Sequence, residues 1–188
     1  MATFKFGKPP SLGLRVLYLD FDGVLHHENC FYRPRRGPYL IAPPGHTVFQ
    51  HLKLLESLLE PYPDVRIVLS TSWVRQYGFR RTAKFLGPTL QARAIGATFH
   101  TAMGDDAFGA LDRGLQIVRD VVSRKPLDWL AIDDDAQGWP AWCLDKLVHT
   151  DGEMGIGEPR VMTQIQSKLA AMSAPSGEQP PRSGLEDI

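Results

Sequence analysis

Cysteine is scarce: Cys30 and Cys143 are the two in 188 residues, far apart and in no metal-type spacing, which argues against a disulfide framework and predicts reduced thiols. Charge of one sign is also lacking. Lysine and arginine number 21, as do aspartate and glutamate, so no overall bias draws the chain to nucleic acid or a membrane, and only local patches could do so. No apolar run approaches the ~18 residues of a membrane span, and the first residues lack the apolar stretch of a signal peptide. No internal repeat is visible. These absences predict a cytoplasmic protein without membrane contact. With hydrophobic residues at 43% and charged ones at 22%, the chain has the composition of a soluble globular protein of one domain.

The apolar pattern alternates between short runs and helical spacing. Residues 14–20, 66–69 and 127–132 read as strands, with 146–149 and part of 90–99 as shorter ones. Between them, Val48, Leu52, Leu55 and Leu58 recur at helical spacing behind Thr47, a candidate cap, until Pro61 and Pro63. Residues 74–85 form a basic amphipathic segment ended by Gly87-Pro88; 108–123 form a helix with Leu111, Leu115, Val118 and Val122 on one face; 159–172 form the last helix. This order predicts an α/β fold, a three-layer α/β/α sandwich around a central parallel sheet. Residues 1–13 read as an irregular leader, 14–172 as the domain, and 173–188, rich in Ser, Pro, Gly and Glu, as a disordered tail.

Leu17-Tyr18-Leu19-Asp20-Phe21-Asp22-Gly23-Val24-Leu25 is the most informative stretch. A strand buried on both faces would end in two carboxylates, and Gly23 would let the chain turn and expose them at the edge where parallel sheets place ligands. In extended chain the two acids point the same way and repel; a divalent cation between them, or a proton on one, relieves this. One ionised Asp can then be a nucleophile and the other a general acid. Two further strands end in polar residues, Ser70-Thr71 and Asp133-Asp134, and in a parallel sheet these ends converge. Carboxylates and hydroxyls without His or Cys select a hard cation, and Mg²⁺ with retained waters is the economical choice.

The run Asp20-Phe21-Asp22-Gly23-Val24-Leu25 resembles the first motif of the haloacid dehalogenase-like (HAD) hydrolases, mostly phosphatases that work through an aspartyl-phosphate. The resemblance extends from about 14 to 172 and implies a HAD-like, Rossmann-like fold with little or no cap domain. It implies Asp20 as nucleophile and Asp22 as acid and base, with Asp22 also lending its backbone carbonyl to Mg²⁺. A hydroxyl on the phosphoryl group would come from Thr71, or from Ser70 close behind. The neutralising cation would be Arg113, at the opening of the helix before the third strand, with Lys125 the alternative. Asp134 would be the side-chain ligand of Mg²⁺, with Asp133 second.

Among relatives, Thr71-Ser72-Trp73 adds a likeness to the small capless HAD domain of Swiss-army-knife RNA repair proteins. This raises nucleotides and nucleic-acid end phosphates as substrates. The loop 26–44 is the candidate flap, carrying Arg33, Arg35 and Arg36 with Phe31, Tyr32 and Tyr39; Arg75, Arg80, Arg81 and Lys84 make a second basic set. Solvated surface charge explains both sets equally well. His26 and His27 lie in the flap, where histidines usually have no catalytic role. Two other classes remain open at this level: a non-catalytic binding or regulatory domain, and a phosphotransferase that keeps water from the same intermediate.

Overall fold

In a computed structural model, which describes residues 13–100 and 108–174, five parallel strands form one sheet. They are β1 (Arg15–Leu19), β4 (Val65–Leu69), β5 (Ala94–Ala97), β6 (Asp128–Asp133) and β7 (Leu147–His149), in the spatial order β5-β4-β1-β6-β7. The first strand lies at the centre, in register with β4 through Leu19↔Leu69 and with β6 through Leu19↔Ile132. Its residues Val16 to Leu19 are completely buried, as a strand covered on both faces must be. A hairpin, β2 (Cys30–Arg33) with β3 (Gly37–Leu40), is the insertion between β1 and the first helix. The proposed leader and tail fall almost wholly outside the described residues.

The two faces of the sheet are covered unequally. One carries α1 (Leu52–Leu59), the short helices α2 (Trp73–Tyr77), α3 (Phe79–Lys84) and α4 (Gly87–Gln91), and α6 (Pro159–Ser173). Leu17, Leu19, Ile67, Leu69 and Ile132 pack there against Leu55, Leu59, Leu86, Ile165 and Leu169. Each such fully buried side chain contributes about 1.5–3 kcal/mol of transfer free energy. The other face carries α5 (Arg113–Arg124) and the short turn 141–146, over a smaller cluster of Val16, Tyr18, Val68, Ile117, Trp129 and Trp139.

Three expectations about helices need correction. Thr47 caps nothing, because the helix begins at Leu52 behind His51. Phe49 takes a left-handed conformation (φ 58°) and turns its ring into a cluster with Phe21, His26, Trp73 and Phe85, so aromatic packing overrides the helical spacing of Val48. The basic segment after the second long strand is split at Gly78 (φ 75°), and Gly87-Pro88 opens α4 instead of ending a helix, with proline in the first turn where its missing N–H costs nothing.

The third correction concerns α5. Leu115 and Val122 are exposed, and the buried face is Gly114, Ile117, Asp120 and Arg124. Asp120 and Arg124 are buried because they satisfy one another: Arg124 Nε and Nη2 donate to the two Asp120 oxygens at 2.7 and 3.0 Å. Asp120 also accepts from the Tyr18 hydroxyl at 2.8 Å. Burial, followed by the Asp120 charge, pushes the Tyr18 phenol well above its ordinary range, so it remains a donor.

Candidate active site

The carboxyl ends of β1, β4 and β6 converge as their register requires, and α5 adds a cation from the side. Beyond Leu19 the ladder continues for one more step on each flank: Asp20 N–H donates to Ile132 O at 3.1 Å, and Ser70 N–H to Leu19 O at 2.8 Å. Asp20, Asp133 and Asp134 each present a carboxylate oxygen, all within 4.8 Å of one another. Arg113 closes the group. Its Nη2 donates to Asp20 Oδ2 at 3.0 Å, its Nη1 to the Ser70 carbonyl at 2.5 Å, and its Nε lies 3.3 Å from Asp133 Oδ2.

Glycines make the approach possible. Gly23 adopts φ 65°, and a Cβ there would stand 2.1 Å from Asp134 Oδ2, so a side chain is excluded by conformation and by space. Thr150, just beyond β7, donates its buried hydroxyl to the Gly23 carbonyl at 2.7 Å and fixes the turn. Gly114 performs the other close approach: a Cβ there would lie 2.7 Å from the Gly138 backbone, and its N–H donates to Gln137 O at 3.0 Å. The loop after β6 is thereby pressed against the first turn of α5, beside Arg113. A glycine immediately after the candidate cation, inside a helix, was the sequence signal for this contact.

Electrostatics follow from three acids facing one guanidinium. Burial raises Asp20 above the ordinary carboxylate range; Arg113 opposes that shift and Asp22 adds to it. Asp133 is raised well above the range by burial and then by Asp20. Asp134 is pushed up to about 6, by burial first and by Asp20 second. Burial works against the charge of Arg113, but Asp20 and Asp133 outweigh it and hold the guanidinium charged. A divalent cation fits this donor set: all oxygen, two carboxylates enclosed and Asp134 more open, with negative charge in excess.

Asp22 is elsewhere. Its carboxylate is not part of the three-acid group but accepts from Trp73 Nε1 at 3.1 and 2.9 Å and meets His26 Nε2 at 3.1 Å. Among the described residues the Asp22 side chain is thus separate from the three-acid group, and the resemblance gives Asp22 its place at Mg²⁺ through the backbone carbonyl. Trp73, His26, Phe49, Tyr77 and Phe85 stack edge to face around it, and Tyr32 of the hairpin reaches Tyr77 at 5.2 Å. Trp73 and His26 are therefore functional candidates whose roles sequence reasoning missed; Trp73 stood in a motif, and His26 read as a lone loop histidine.

The remaining alternatives separate by position. Thr71, buried beside Asp20, accepts from the Trp73 N–H at 3.4 Å with its hydroxyl oxygen, favours the ionised form of Asp20, and lines a cleft of about 60 Å³ with Arg75, Phe108 and Arg113. Ser70 is fully buried, and its hydroxyl has no hydrogen-bond partner among the described residues; what it supplies is the carbonyl that holds Arg113. Lys125 is not brought to the site. It is exposed at the far end of α5, where it ends the helix in a left-handed conformation. A larger hollow of about 200 Å³ at the amino edge of the sheet has its charges internally paired, Lys146 with Asp128 at 2.7 Å and Lys168 with the Asp145 carbonyl.

With this geometry in hand, the comparison with known families is decisive: residues 16–161 match the family described as the HAD domain in Swiss Army Knife RNA repair proteins. The chain belongs to the haloacid dehalogenase-like family. The matched span runs from β1 into α6 and contains every site residue of this HAD-like domain described above. No curated protein and no solved structure matches the chain significantly. Among the described residues of the HAD-like domain, no helix is long and apolar enough to cross a membrane.

Proposed function

We propose that the protein is a Mg²⁺-dependent phosphomonoesterase that forms an aspartyl-phosphate on Asp20. The observation that carries this reading is the placement of Asp20 between the Arg113 guanidinium, the Thr71 hydroxyl, and the carboxylates of Asp133 and Asp134. Asp20 Oδ attacks phosphorus in line while the ester oxygen leaves, and Asp22 gives that oxygen a proton. In the second half-reaction Asp22 takes a proton from water as the water attacks the phosphoaspartate. Arg113 and Thr71 hold the equatorial oxygens as charge spreads over them. Mg²⁺, held by Asp20, Asp133 and Asp134, supplies the positive charge that lets a phosphate dianion approach these acids.

Asp22 is suited to the proton-carrying role because Trp73 and His26 fix its carboxylate beside the nucleophile and apart from the metal ligands. Within this reading, nucleotides and nucleic-acid end phosphates are the substrate class we favour. The hairpin and α2–α3 present cations laid on aromatic rings, Arg33 over Tyr39 at 5.3 Å and Arg81 over Tyr77 at 5.4 Å, a combination that suits phosphates and stacked bases. The description of the matching family, HAD domain in RNA repair proteins, agrees with that class.

The test is phosphate release from a generic aryl phosphate with and without Mg²⁺, then from mononucleotides and from 5′- and 3′-phosphorylated oligonucleotides. Turnover that needs Mg²⁺ and vanishes in Asp20→Asn is expected. Turnover that persists in Asp20→Asn rejects the aspartyl-phosphate, and silence across all substrates moves the assignment to a binding domain.

A further inference from the structure

Asp22, His26 and Cys30 recur at intervals of four from the turn after β1 to the first residue of β2, and they meet in space. One donor atom from each lies within 4.8 Å of the other two. The set differs in kind from the neighbouring three-acid group: one carboxylate, one imidazole and one sulfur, a mixture that disfavours Mg²⁺ and suits Zn²⁺ and its thiophilic neighbours.

Three features prepare these donors. The His26 ring is fully buried; Nε2 faces Asp22, and Nδ1 has no hydrogen-bond partner among the described residues, so the Asp22 hydrogen bond is what a cation at Nε2 has to displace. Trp73 Nε1 donates to both oxygens of the Asp22 carboxylate at 3.1 and 2.9 Å and fixes its orientation, as outer groups commonly do for metal-ligating carboxylates. Asp22 and Cys30 are only partly covered, which leaves a way in and an open fourth position. Tetrahedral coordination at zinc bond lengths would set the donors about 3.5 Å apart; His26 and Asp22 already stand at 3.1 Å, and the sulfur has at most roughly 1.3 Å to close, within the reach of side-chain rotation.

We propose that Asp22, His26 and Cys30 form a second metal site, selective for a thiophilic divalent cation such as Zn²⁺, whose occupation silences the enzyme. Binding replaces the Cys30 thiol proton, which leaves to solvent, and converts the His26–Asp22 hydrogen bond into two metal bonds. The consequence for activity rests on the proposed function: Asp22 bound to the cation can neither give nor take a proton, however much Mg²⁺ occupies the other acids. Two sites of different softness would thus stand side by side, one enabling turnover and one suppressing it.

The experiment is a Co²⁺ titration of the full chain in saturating Mg²⁺, following the near-ultraviolet thiolate-to-cobalt charge-transfer band, with Zn²⁺ then added as competitor. The parent protein should show the band at one equivalent and lose it to Zn²⁺ but not to further Mg²⁺. In Cys30→Ser the band should be absent and Zn²⁺ binding at least about tenfold weaker, with Mg²⁺-dependent turnover of an aryl phosphate retained and now resistant to Zn²⁺. Absence of the band in the parent, its survival in Cys30→Ser, or its removal by Mg²⁺ overturns the site. A parent chain that shows the band but hydrolyses no phosphate ester upholds the site and rejects the proposed function instead. Cys30→Ala repeats the binding measurement in case serine disturbs the fold.

Discussion

Asp20 and Asp22 are one residue apart in the chain, but they stand in two unlike surroundings. Asp20 sits among oxygens and a guanidinium, anchored by three strands and a helix; Asp22 sits among rings, held by one indole, one imidazole and a loop. The first region concentrates negative charge and needs a counter-ion. The second contains one acid and encloses it with aromatic surface. In the proposed reaction the short motif thus divides its labour, with nucleophile and metal ligands on one side and proton handling on the other. The two carboxylates are still coupled, since the Asp22 charge adds to the rise that burial imposes on Asp20.

The largest effect should come from breaking the turn itself. Gly23→Ala places a methyl group on Asp134 and in a backbone conformation that alanine resists, so Mg²⁺-dependent turnover should fall by about a thousandfold or more, with Tm lowered by loss of several kcal/mol. Retained Mg²⁺ affinity in that variant would show that the two regions do not depend on the turn. Trp73→Phe tests the second region alone. It removes the donor on Asp22 and should slow turnover by about tenfold to a hundredfold, more for an alkyl phosphate, whose leaving oxygen needs a proton, than for an aryl phosphate. The Mg²⁺ dependence should not move; equal slowing of both esters would mean that the indole acts only through packing.

A smaller, pH-dependent effect belongs to the first region. Asp134 has a folded pKa of about 6, above the ordinary 3.8, so its proton stabilises the metal-free protein below pH 3.8 and that contribution is lost as pH rises through 6. The metal-free Tm should fall between about pH 4 and about pH 6 and level off above that, and saturating Mg²⁺ should abolish the fall; the same slope with and without Mg²⁺ would place the cation elsewhere. The smallest effect is expected farthest from both regions. Lys125→Gly relieves a left-handed residue at the end of α5 and should stabilise by about 0.5–1 kcal/mol while activity stays unchanged, as measured by denaturant midpoint and turnover.

The first region was far more legible in the sequence than the second. Strands of continuous apolar residues ending in Asp, Ser or Thr announce a parallel sheet and its reactive edge, because burial on both faces leaves no other pattern. Asp20, Thr71, Asp133 and Asp134 stand at strand ends, which sequence periodicity locates; Arg113 comes from the family resemblance, because periodicity begins its helix at 108 and the structure begins it at Arg113. The surroundings of Asp22 depend on tertiary packing of Phe49, Trp73, Tyr77 and Phe85, which no local spacing encodes. The same holds for α5, where a buried Asp120–Arg124 pair displaced the apolar face that Leu115 and Val122 suggest. Asp and Arg at helical spacing ordinarily mean solvent; the Tyr18 hydroxyl on the central strand gives this polar face of α5 a reason to turn inward.

That buried triad acts on α5 as a second bolt on a beam. Arg113 fastens one end of the helix to Asp20, and Asp120 fastens it two turns later to Tyr18 on the same strand. A beam bolted once can pivot; bolted twice along its length, it can neither roll nor slide. The guanidinium is therefore presented from a base held at two points, and in the proposed reaction the phosphate comes to it.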